Sequence, residues 1–442
     1  MCCLYLNSWG QKEMEQEKSR AIAIPFIGGK DVMPIAGYFG PYPHDYEHLP
    51  QYFTEEIMKL IADAGINLMV YSAADYANEP ELVEKNLVNG EKFGVGIFVT
   101  DKPVMECTTA DEARERIAKY ADRKAFCGMY VVDEPTATYY CDSDGSRLLS
   151  KFETISKIIQ TELDMIGYIN LLPVVMIENY QENYEKYVDE FCDVLKPKVM
   201  SWDHYPFDKY REGKMEIYFY NMDVIRRAAV KRGLPVWAFV QAGSQWNDGW
   251  KKFDSELPYF PNNSQFDWNV NTSLAFGAQG IQYFPLVQPI QFTLTTTDEG
   301  DYERNGILGG KGNKTQWYDY AQKINRHIAA IDEVLMNSVH KGVIASGEQA
   351  VKDMQFVTCV IDGGFNELQS VAGDALVGCF NYQGKTALYV ANHDFVNAQD
   401  VTLTLDDVRN VTMIQNAETS REKSNKLTLH MAAGDGVLIV IE

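Results

Sequence analysis

Between residues 32 and 287 the chain repeats one pattern eight times: a short apolar run, then a longer amphipathic stretch. The runs are VMPIAGYFGP (32–41), INLMVYSA (66–73), FGVGIFVTD (93–101), FCGMYVVDEP (126–135), MIGYINLLP (165–173), KVMSWDHYP (198–206), LPVWAFVQAG (234–243) and AQGIQYFPLV (278–287). Unbroken apolarity of this length, rich in β-branched and aromatic residues, predicts strands buried on both faces, as in a parallel sheet. The stretches between them predict helices. FTEEIMKLIADAG carries Ile57, Leu60, Ile61 and Ala64 on one 3.6-residue stripe and stops at Gly65. TTADEARERIAKYADR opens on threonine caps and acids and ends on basic residues, in the sense the helix dipole favours. SRLLSKFETISKIIQTEL, YQENYEKYVDEFCDVL, MEIYFYNMDVIRRAAVKRG, QFDWNVNTSLAFGA and WYDYAQKINRHIAAIDEVLMN read the same way.

Eight strand-then-helix units predict a (β/α)8 TIM barrel over residues 31–338, with 1–30 as a tether and lead-in. The competing arrangement is an open doubly wound sheet, which carries a Gly-rich turn after its first strand. Here GYFGPYP lacks the GxGxxG spacing, and no GxxxxGK[ST] occurs. From about residue 340 the texture changes. DALVGCFNYQGKTALYVANHDF, DVTLTLD, NVTMIQNA, NKLTLHM and GDGVLIVIE are alternating runs broken by Gly, Asn and Asp. They predict a small antiparallel β-sandwich over 339–442, packed against the barrel.

Composition narrows the function. The 442 residues are 46% hydrophobic and 23% charged, an ordinary globular balance that excludes disordered and collagen-like classes. A net charge of −22 argues against nucleic acid and anionic membrane as partners, because both need clustered Lys and Arg. A neutral ligand remains compatible. The 26 Tyr and 7 Trp suit a protein that stacks flat ligands. The eight Cys show no CxxC and no zinc spacing with His, so free and mostly buried thiols are expected, with a Cys359–Cys379 pairing left open. No apolar run reaches the ~18–20 residues that span a bilayer. The start, MCCLYLNSWGQKEMEQEKSR, is no complete signal peptide, although a Cys followed by a polar tether resembles a processed lipoprotein and points to an extracytoplasmic place.

In a barrel the loops after the strands form the active face. The polar strand ends are Tyr38, then Tyr71 and Ser72, Asp101, Asp133-Glu134, Asn170, Asp203-His204-Tyr205, Gln241 and Tyr283. The set is acidic, amidic and aromatic. In MYVVDEP an acidic pair closes a buried strand before a Pro. A carboxyl against apolar walls gains pKa through desolvation and can hold a proton near neutrality, so Glu134 is the expected proton donor and Asp133 its neighbour in orienting a substrate group. In SWDHYP, Asp203 is the expected second carboxylate, with Trp202, His204 and Tyr205 beside it. A metal held by Asp133, Asp203 and His204 has no supporting ligand spacing. In WAFVQAG, Gln241 stands where many barrel hydrolases place a Glu; an amide hydrogen-bonds but does not attack. Tyr38, Tyr71, Trp202, Trp237, Tyr283 and Phe284 are the expected platforms for pyranose faces. No GxSxG occurs, which disfavours a serine nucleophile.

The ordered set GYFGPYP, EEIMKLIADAGINLMVY, MYVVDEP, SWDHYPF, PVWAFVQAG and SLAFGAQGIQYFPL resembles (β/α)8 glycoside hydrolases of the clan A type, including family 42 β-galactosidases, over roughly residues 31–442. The resemblance implies hydrolysis of O-glycosidic bonds in a carbohydrate, no organic cofactor, and Glu134 as the acid/base. Two positions depart from the clan pattern: Asp133 stands where Asn precedes the acid, and Gln241 where the nucleophile Glu closes strand seven. Three schemes accommodate that. Asp203 supplies the second carboxylate; or the substrate supplies the nucleophile, as in N-acetylhexosaminidases of families 20 and 123, with Asp133 orienting an acetamido group; or the barrel binds glycans without cleaving them. The sequence leaves sugar, linkage and oligomeric state open.

Overall fold

Alternation along the eight buried strands sorts their side chains into two cores. The computed structural model describes residues 18–40, 53–72, 74–135, 148–177, 179–207, 215–243, 262–287, 306–309 and 312–442. Strands β1 (Ile35–Gly37), β2 (Leu68–Met69), β3 (Gly96–Val99), β4 (Phe126–Asp133), β5 (Gly167–Leu171), β6 (Met200–Trp202), β7 (Val236–Gln241) and β8 (Ile281–Phe284) are all parallel. β1 pairs with β8, and the barrel closes. Ala36, Leu68, Val70, Phe98, Tyr168, Trp237 and Phe239 fill its inside. Ile35, Met69, Ile97, Met129, Ile169, Met200 and Ile281 face the helices.

The helices form the outer layer. They are α1 (Glu55–Asp63), α2 (Pro80–Phe93), the short α3 (Lys102–Met105), α4 (Ala110–Ile117), α5 (Leu148–Lys157), α6 (Tyr180–Leu195), α7 (Met215–Arg232), α8 (Asn263–Ala275) and α9 (Gln316–Met336). Caps fix several starts: Thr54 accepts from the Ile57 amide, and Thr109 and Glu112 form a capping box. α2 is the helix the apolar pattern did not predict. Asn86 and Asn89 lie on its buried face with Val83 and Leu87, which dilutes the stripe, although Pro80 starts it and Gly94, at φ 77°, stops it.

The C-terminal domain comprises β9 (Ser338–Ser346), α10 (Glu348–Asp353), β10 (Leu368–Ala372), β11 (Ala375–Tyr382), β12 (Lys385–Asn392), β13 (Gln399–Gln415), β14 (Glu418–Met431) and β15 (Gly436–Ile441). These seven strands form one antiparallel sheet in the order β10-β13-β15-β12-β11-β9, with β14 on β13. It becomes a sandwich because β13 serves both layers. Its first half pairs β10, its second half pairs β15, and a register shift separates Thr404 from Arg409. Leu388, Val390, Leu403, Leu405, Leu427, Val437 and Ile439 share the core between the layers. Cys359 and Cys379 are both free thiols.

Barrel and sandwich meet along α8, which is buried from Gln265 to Ala275. Asn271 donates to the Gly434 carbonyl at 2.8 Å and accepts from the Tyr389 hydroxyl at 2.7 Å. At Gly378 in β11 a Cβ would stand 2.2 Å from the Ala275 carbonyl oxygen, so only glycine permits this approach. Residues 18–30 pack under the barrel: Ile24 joins its inner core, and Arg20 donates to the Leu234 carbonyl at 3.0 Å. Of the expected tether and lead-in at 1–30, residues 1–17, with Cys2 and Cys3, lie outside the described residues. No helix among the described residues is long and apolar enough to cross a membrane.

Candidate active site

A β-bulge sets the site. β4 and β5 run in step at Met129–Gly167 and Tyr130–Tyr168, then slip by one residue to Val132–Ile169 and Asp133–Asn170. Strict alternation would send Asp133 outward with Met129 and Val131. The extra residue turns it inward beside Asn170. Glu134 follows with φ 43°, a left-handed backbone that a Cβ-bearing residue adopts only under strain, and its amide donates to the Asn170 carbonyl at 3.0 Å. That turn carries its carboxyl into hydrogen-bonding contact with Asp203, which leaves β6 on the inward face.

Asn170 joins the acids. Its amide donates to Asp203 Oδ1 at 2.8 Å and to Asp133 Oδ1 at 3.2 Å. Its own carbonyl oxygen accepts from Ser201 at 2.9 Å. Tyr168 and Gln282 complete a buried layer beneath, with the Tyr168 hydroxyl 2.7 Å from Gln282 Oε1 and Gln282 Nε2 2.9 Å from Ser201. This network holds the carboxyls in fixed orientation from below. Tyr38 also donates to Asp133, and its hydroxyl lies 3.0 Å from that of Tyr130.

Three carboxyls crowded against apolar walls resist ionisation. Burial, then the Asp133 charge, pushes Glu134 up to about 7, against the opposing hydrogen bond with Asp203. Asp203, 6% exposed, is held well above the usual carboxylate range by burial and by the charges of Glu134 and Asp133. Asp133 is an exposed residue, yet the protein walls around its carboxyl desolvate it and raise it too, partly offset by Tyr38 and Asn170. The Glu134–Asp203 contact lets one proton be shared between them, so the two titrate as a pair.

Aromatic rings rim the acids. Half-buried Tyr71 lies tilted 4.5 Å from Tyr130 and 5.2 Å from Tyr38, and half-buried Tyr205 lies 5.5 Å from Phe284. Of the residues expected at the sugar site, Tyr38, Tyr71, Asn170 and Tyr205 gather here with the acids. Four others do not. Trp202 and Tyr283 point outward into the helix layer, Trp202 against Tyr218 and Tyr283 stacked on Phe266 at 5.5 Å with its hydroxyl on Asn325. His204 also faces outward, its Nδ1 3.2 Å from Asn221 Oδ1, so it does not converge with Asp133 and Asp203. Gln241 fastens the loop after β6, accepting from the Phe207 amide at 3.1 Å and donating to its carbonyl at 2.7 Å. Trp237 faces inward but lies deeper, fully buried between Phe98 and Tyr168, where a Cβ on Gly280 would come within 2.4 Å of its ring. Tyr130, outside the expected set, also joins the rim on the inner face of the barrel, 4.5 Å from Tyr71; the apolar run FCGMYVVDEP carries nothing that marks its phase.

Among the described residues no cluster of three or more His, Cys, Asp or Glu is arranged to hold a metal ion. No family model and no curated protein matches the chain. Solved structures do. A cold-adapted β-galactosidase from Rahnella sp. R3 is 10% identical, with 95% of this chain and 100% of that one covered and a TM-score of 0.56. A glucosidase from Croceicoccus marinus is 12% identical over 96% and 98% of the two chains, at 0.45. A β-galactosidase from Marinomonas ef1 is 11% identical over 73% and 65%, at 0.48. At this identity the likeness to the Rahnella structure is one of fold: a (β/α)8 barrel followed by a β-domain.

Proposed function

We propose that the protein is a glycoside hydrolase in which Glu134 protonates the departing glycosidic oxygen. The observation that carries this reading is a carboxyl held up to about 7 by its surroundings, within hydrogen-bond reach of a second carboxyl, under an aromatic rim. An acid poised near neutrality keeps its proton until the substrate arrives, and its conjugate base then activates water. Tyr71, Tyr130 and Tyr205 offer flat faces to a pyranose, while Asp133 and Asn170 pair with its hydroxyls. Asp203 is the second carboxylate, the group that attacks the anomeric carbon once it has lost its proton. Its contact with Glu134 is nearer the ~5–5.5 Å separation of retaining pairs than the ~6.5–9.5 Å of inverting ones, so retention of configuration is expected.

One observation favours a second scheme. Asp203 is the more deeply buried acid and holds its proton strongly, which makes it a poor nucleophile. If it stays neutral, an acetamido group on the substrate takes over the attack, with Asp133 orienting the amide and Glu134 still the acid. A panel of aryl glycosides with and without an N-acetyl group separates the schemes. Turnover of simple galactosides or glucosides supports Asp203; turnover confined to N-acetyl sugars supports substrate assistance. Saturable glycan binding with no turnover of any member would reduce the barrel to a binding module and overturn the hydrolase reading.

A further inference from the structure

The segment that delivers Asp203 and Tyr205 to the mouth continues into Pro206 and Phe207, and these two residues line a second cavity of 390 Å³. It lies between the loop after β6, the start of α7 and the sandwich, whose α10 and β12–β13 turn form its far wall. Its volume is within the ~300–1,000 Å³ of small-ligand sites. We propose that this cavity is a second carbohydrate site, which takes a neutral sugar unit beside the barrel mouth. The inference rests on the reading of the barrel as a glycan-acting domain and extends it to the sandwich.

The lining has the chemistry a sugar needs. Phe207 and Phe395 meet edge to face at 5.4 Å and supply apolar surface for a ring's C–H face. Gln349 and Lys352 are exposed at the rim and supply donors. Asp353 and Asp374 supply acceptors. Asp353 is pinned by His393 at 2.8 Å and by Gln349 at 2.9 Å, and Asp374 accepts from the Ala350 amide at 2.9 Å. Carboxylates with such fixed orientation pair well with hydroxyl donors. The described acids here do not converge on one point as ion ligands would. Lys352 and the His393–Asp353 pair temper the acidic wall, so no strong charge of either sign selects the ligand and a neutral polyol ring is the match.

Met215 lines the cavity, so its methyl signal reports occupancy. The probes are neutral gluco- and galacto-disaccharides, titrated to about 10 mM into the Glu134→Gln protein with ¹³C-labelled methionine methyls, so that a millimolar site would fill. The Met215 signal, assigned through Met215→Leu, is expected to shift saturably with at least one probe. The double variant Gln349→Ala/Lys352→Ala is expected to weaken that response tenfold or more. A Met215 signal unmoved by every probe, or a response of equal affinity in the double variant, overturns the proposal. Aryl glycoside turnover by the unaltered protein reports separately on catalysis. Turnover with a silent Met215 removes the second site alone, whereas a saturable Met215 response without turnover removes the hydrolase reading and upholds the site.

Discussion

Glu134 combines two costs that a residue without a task would shed: a left-handed backbone and a carboxyl pressed against two others. Both have measurable consequences. Its pKa is about 7 in the fold against 4.5 in an ordinary setting, so the folded state binds the proton more tightly than the unfolded chain. That stabilisation is complete below about pH 4.5 and is lost as pH rises through about 7. Urea unfolding of the wild type and of Glu134→Gln, compared across this window, should show the wild type losing stability relative to the variant; parallel curves would contradict the assignment. Activity should carry the same signature, with kcat/KM falling on the alkaline side of about pH 7 as the acid loses its proton. Glycine adopts φ near +43° without a Cβ clash, so Glu134→Gly should raise stability by about 1 kcal/mol in thermal unfolding while abolishing turnover. A destabilised glycine variant would show that the turn is not strained.

At the scale of elements, the eight strands were legible because each is an unbroken apolar run, and the polar residues read at their C-terminal ends include Asp133, Glu134, Asn170 and Asp203, which the structure draws together. Phase along the strand was not legible. A strand buried on both faces has no polar side to mark its outward positions, so Trp202, His204 and Tyr283 were expected in the mouth although each lies one residue out of step with it. The bulge in β4 was equally silent, since nothing in MYVVDEP announces an extra residue before Asp133. α2 was lost for a related reason, its buried Asn86 and Asn89 reading as surface. The phase is testable through kinetics. Tyr71→Ala, at the rim, should raise KM about tenfold, whereas Trp202→Phe, behind the barrel wall, should leave KM within about twofold and lower stability by about 0.5–3 kcal/mol. A large KM effect at Trp202 with none at Tyr71 would invert the proposed lining.

Across the whole molecule, the sandwich completes the barrel. α8 is buried on every side, and its Asn271 depends on Gly434 and Tyr389 from the other domain. Tyr389→Phe leaves the Asn271 oxygen buried without its donor and should cost about 1–3 kcal/mol. Because the interface is shared, calorimetry should show a single unfolding transition that shifts as a unit; two transitions, with only one moved, would show that the domains are independent. Catalysis is the property in which both scales meet, and its test is direct: kcat/KM of wild type and Glu134→Gln on the same glycoside with a poor leaving group. An amide keeps the shape of the side chain and removes its proton. The account predicts a loss of about 10²–10⁴-fold for the variant, and an unchanged rate would contradict it.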